Sequence, residues 1–66
     1  MRELTEFDRE RILQAEAEHR AAADTVKQFL RRHPEPDLAE LREFCAMVRR
    51  SRDAAQRLLD VLERAR

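Results

Sequence analysis

The 66-residue sequence predicts an all-α fold, an antiparallel two-helix hairpin that dimerises into a four-helix bundle. Three observations carry that expectation. Two long stretches without glycine or proline flank a stiff Pro34-Glu35-Pro36 connector. Each stretch repeats apolar or small residues at alternating steps of three and four, the spacing of a helix that buries one stripe. The first seam is Ile12, Ala15, His19, Ala22, Val26 and Phe29; the second is Leu41, Phe44, Val48, Ser51, Ala55, Leu58, Leu62 and Ala65. Folding the chain back at Glu35 then matches the seams level by level, Ile12 with Leu58, His19 with Ser51 and Phe29 with Leu41.

The chain is read as one domain, residues 1–66, with a first helix over about 5–32, a connector over 33–37 and a second helix over about 38–65. Met1–Leu4 is a lead-in. Thr5 followed by Asp8 has the form of a capping box, in which the hydroxyl and the carboxylate each accept a hydrogen bond from an early backbone amide. Beyond it, Ala, Leu, Glu, Gln and Arg dominate, the residues that lose least on entering a helix. Arg31, Arg32 and His33 place cations at the end of the first helix, where the dipole favours them, and Pro34 disfavours a helical conformation of its predecessor. Asp37 and Glu40 repeat the capping box for the second helix.

Both stripes are wider than one partner needs. Phe7, Ala23 and Leu30 flank the first seam; Met47, Ala54 and Val61 flank the second on one side, Cys45 and Leu59 on the other. A helix apolar over so broad an arc touches two neighbours, as in a four-helix bundle. Small size points the same way, since below roughly 70–80 residues a single core rarely supplies more than ~3–5 kcal/mol and such chains lean on disulfides, metals or oligomers. The single cysteine, Cys45, leaves no disulfide within the chain. The expected partner is therefore a second copy, or else a second helical protein. The interface residues expected from the two seams are Ile12, Ala15, His19, Ala22, Val26, Phe29, Ser51, Ala55, Leu58 and Leu62, joined by Phe7, Met47, Leu59 and Val61 from the flanks.

Composition removes several function classes. The 14 basic and 14 acidic side chains cancel, so the global basic excess that accompanies nucleic-acid or anionic-lipid binding is missing. No glycine is present to build a phosphate-cradling loop. The longest apolar run, Phe44–Val48, is far below the ~20 residues of a spanning helix, so no membrane partner is expected. A lone cysteine without a secretory signal points to a reducing cytoplasm.

Three local patterns are weighed for chemistry. His19 lies within a seam, where a neutral imidazole hydrogen-bonded to Ser51 would fix register, or where protonation would act as a pH switch. Glu16 and His19 share the spacing by which di-iron bundles present two ligands from one turn, yet no glutamate stands at the facing level, Ser51 to Ala55. These two are weak metal candidates, and no cofactor is expected. Arg42, Arg49 and Arg52 form the densest basic stretch and are the candidate nucleic-acid contacts, although no aromatic on the polar face interleaves them to stack bases. No nucleophile has a base within reach of its helix face and no cleft is expected, so the sequence is not that of an enzyme.

The layout of two long helices, a short connector and alanine-containing seams resembles the Rop family of antiparallel four-helix RNA-binding dimers. It is also similar to the two-helix co-chaperones of type III secretion needle subunits. The first resemblance implies a nucleic-acid-binding regulator, the second a subunit of a hetero-complex. Neither family's residue motifs occur in this chain, so no functional residue is carried over. The expected function is that of a non-catalytic interaction module, a homodimeric adaptor, regulator or chaperone-like subunit.

Overall fold

The computed structural model describes residues 4–65; Met1–Glu3 of the lead-in and Arg66 lie outside the described residues. The chain is an all-helical hairpin of two elements, α1 (Glu6–Arg32) and α2 (Leu38–Arg64), each of 27 residues. Together they make a rod about 50 Å long.

Both capping boxes are formed. The Asp8 amide donates to Thr5 Oγ1 at 3.1 Å while the Thr5 amide donates to Asp8 Oδ2 at 3.2 Å. At the start of α2 the Glu40 amide donates to Asp37 Oδ1 at 2.8 Å and the Asp37 amide to Glu40 Oε1 at 3.3 Å. Each box satisfies amides that have no partner inside the helix, which is why the helices begin where a hydroxyl or carboxylate precedes an acid by three residues.

The connector is tied by four side chains. The His33 amide closes α1 by donating to the Phe29 carbonyl at 2.9 Å. Its ring lies 4.5 Å from that of Phe29, and its Nδ1 pairs with Glu40 Oε2. Phe29 in turn stacks on Phe44, ring centroids 5.9 Å apart. Glu40 therefore caps α2 with one oxygen and binds the end of α1 with the other.

These contacts correct the expected register. Phe29 meets Phe44 instead of Leu41, a slip of three residues, because His33 prolongs the α1 seam past the helix end and the chain turns later than Glu35. Carried along both helices at steps of three and four, the pairing sets Ser51 level with Ala22 and Ala54 level with His19. The expected His19–Ser51 layer does not follow from this pairing, although both residues are half-buried.

The slip also rotates α2. A two-helix contact covers two adjacent columns of side chains, and the columns that continue from Phe44 are Met47, Ser51, Ala54, Leu58, Val61 and Ala65. Each of these is buried or half-buried, with Ala54 only 4% exposed. The α1 seam is as expected: Ala15 and Phe29 are buried, and Ile12, His19, Ala22 and Val26 are half-buried. Leu41, Val48 and Leu62, expected to face α1, are instead exposed, and Met47 and Val61, expected on a flank, take their place.

Candidate interaction surface

Removing Leu41, Val48 and Leu62 from the hairpin seam joins them to the outer flank of α2. Leu38, Leu41, Cys45, Val48, Arg52, Ala55, Leu59 and Leu62 then follow one another at alternating steps of three and four over the whole length of the helix. This is a second seam, turned roughly 100° about the helix axis from the one that α1 covers. Leu38 is 66%, Leu59 53% and Leu41 43% exposed, and Cys45 is a free thiol on the surface. Ala55 is half-buried, on the border between the seams. Leu38, Leu41 and Cys45 line a shallow groove with Ala46, closed on its outer rim by Arg42 and Arg49.

In the sequence Cys45 and Leu59 fall on a flank of the expected seam, and Leu38 lies outside it. The signal was present: the alternation runs unbroken from Leu62 back to Leu38 once Arg52 is accepted as one of its steps. Arg52 hid it, because a charged residue breaks an apolar stripe when each position is scored by polarity alone.

The opposite side of the hairpin is polar. An open groove there is lined by Arg11, Gln14, Glu18, Arg57, Asp60 and Arg64 together with Ala15 and Val61 of the hairpin seam, and Arg57 reaches Glu18 across the helices at 3.8 Å. Pairs between such exposed groups contribute little to stability. Phe7, expected among the interface residues, belongs to this side, 65% exposed with the Arg11 guanidinium 5.6 Å above its ring. It is thus not part of the outer α2 seam.

The remaining candidates do not converge. Glu16 accepts from Arg20 at 2.5 Å, one turn further along α1, and no group of three or more His, Cys, Asp or Glu side chains among the described residues is arranged to hold a metal ion. Arg42, Arg49 and Arg52 are exposed, and no described carboxylate lies within ion-pair distance of them. Among the described residues no helix is long and apolar enough to cross a membrane.

No protein family matches the chain, and neither curated proteins nor solved structures provide a match. The fold and its outer seam define the class reached from the residues themselves, a two-helix hairpin with one helix apolar on two faces.

Proposed function

We propose that this protein is a non-catalytic protein–protein interaction module, a homodimer of hairpins in which the outer seams of α2 close a four-helix bundle. It would serve as a small adaptor, regulator or chaperone-like subunit. One observation carries the proposal: α2 presents a complete second seam, with Leu38, Leu41, Val48, Leu59 and Leu62 exposed. Isolated apolar side chains on a surface are ordinary, whereas a periodic row along an entire helix is the form of an unpaired helix contact. The angle between the two seams supports a second neighbour for α2, since a helix inside a four-helix bundle packs against two others on adjacent faces. Association is expected to persist, or to tighten, as salt is raised, because apolar burial is not screened. Light scattering at low and high salt tests this, and a dimer that dissociates on adding salt would contradict it.

A second reading rests on the exposed arginines. Arg42, Arg49 and Arg52 have no carboxylate partner among the described residues, and a Rop-like regulator would place nucleic-acid phosphates there. Binding of paired RNA loops or duplex that falls steeply with salt, and that Arg42→Ala with Arg49→Ala removes, would favour it over the first.

A further inference from the structure

The outer seam of α2 reads nearly the same in both directions. From the N-terminal end it runs Leu38, Leu41, Cys45, Val48, and from the C-terminal end Leu62, Leu59, Ala55, Arg52. Two leucines stand at each end and a small residue follows, with the midpoint between Val48 and Arg52. A two-fold interface places the same patch on both copies, so a pattern symmetric about its own centre is what an antiparallel pairing of one helix with itself requires. We infer that α2 packs on α2 of a second copy in antiparallel orientation, in the register that sets Leu38 against Leu62, Leu41 against Leu59, Cys45 against Ala55 and Val48 against Arg52.

Charge selects this orientation over the parallel one. The rim beside the seam carries Arg42, Arg49, Gln56 and Glu63 at steps of seven, basic in its first half and acidic at its end. Antiparallel packing lays the rim alongside its own reverse, which in this register brings Arg42 nearest Gln56 of the second copy and leaves Arg49 nearest Arg49 of the second copy, both on the solvent-exposed edge. Parallel packing would set Arg52 on Arg52 within the seam itself, a like-charge contact between the two helices that the antiparallel register avoids. In the antiparallel register the two Arg52 side chains are four residues out of step, about 6 Å along the axis, and each guanidinium can extend past Val48 to water while its stem covers apolar surface. A single polar residue in an otherwise apolar seam also penalises every shifted alignment, which fixes the register. The small pair, Cys45 and Ala55, lets the helices approach closely between the leucine ends.

This inference rests on the homodimer proposed above and is tested separately from it by the one thiol of the chain. In the inferred register Cys45 lies level with Ala55 of the second copy, and the two Cys45 residues are ten residues apart, about 15 Å along the axis. That is beyond the ~4.4–6.8 Å between Cα atoms that a disulfide spans. Under a mild oxidant the wild-type dimer should therefore remain uncrosslinked. Ala55→Cys should convert to a covalent dimer, with peptide mapping joining Cys45 of one copy to position 55 of the other. Leu41→Cys with Leu59→Cys, in a Cys45→Ala background, should link 41 to 59 across copies and supplies a second pair should the first variant fail to fold. A wild-type dimer that crosslinks rapidly through Cys45 to Cys45 would overturn the antiparallel register, as would folded, dimeric variants that do not crosslink at either pair. A wild type that sediments as a monomer would instead remove the homodimer itself.

Discussion

α1 and α2 have the same length and the same kind of N-cap, yet they differ in how many partners they can satisfy. α1 carries one seam, bordered by Arg11 and Glu18 on one side and by Arg9, Glu16, Ala23 and the exposed Leu30 on the other. Its outward leucine, Leu13, is 63% exposed but has no apolar continuation larger than alanine one turn away, at Ala17. α2 carries two complete seams that share a border. Folding the hairpin consumes the only seam of α1 and one of the two on α2. The lesson is that equal length and similar composition conceal an asymmetry of arrangement, and that the long row of exposed leucines left by the hairpin lies on α2.

That contrast can be broken most severely on the outer seam. Leu59→Asp is expected to dissociate the dimer: at about 1.5–3 kcal/mol per buried leucine, and with one leucine lost from each copy, association should weaken by about 3–6 kcal/mol, more than a hundredfold. The equivalent change on α1, Leu13→Asp, should leave the mass in solution unchanged and shift stability by no more than about 0.5 kcal/mol. Sedimentation of the two variants side by side checks both halves.

Next comes the hairpin's own seam. Ala54 is almost fully buried at the level of His19, so Ala54→Leu should overpack that layer and lower the thermal midpoint, by about 1–3 kcal/mol of stability. Ala46→Leu, on the exposed rim, should not. Arg52→Leu sharpens the distinction further, since it should tighten association while loosening register, read as crosslinking at more than one pair of positions.

The smallest expected effects are at the caps. Thr5→Ala and Asp37→Ala should each cost about 0.5–2 kcal/mol in thermal unfolding. Asp37→Ala should be the larger, because it also loosens Glu40, which holds His33 across the connector.

These helices differ as well in how far their sequences foretell them. The caps were legible because they are local: Thr5 with Asp8, and Asp37 with Glu40, satisfy their amides without reference to anything distant. The α1 seam was legible because only one pair of columns is apolar. On α2, three adjacent columns are apolar or small, and any two neighbours give the same alternation of threes and fours. Periodicity alone could not say which pair faces α1, and the choice fell to the connector, where His33, Phe29, Glu40 and Phe44 fix the register through contacts across the turn. The outer seam was half legible, through Cys45 and Leu59, and became complete only once the hairpin had declined Leu41, Val48 and Leu62.

Sedimentation equilibrium of the wild-type chain across the micromolar range tests most directly whether the second face of α2 is covered by another copy. A mass twice that of one chain, with helical content retained, is the expected result. A fully helical species of single-chain mass throughout that range would contradict it.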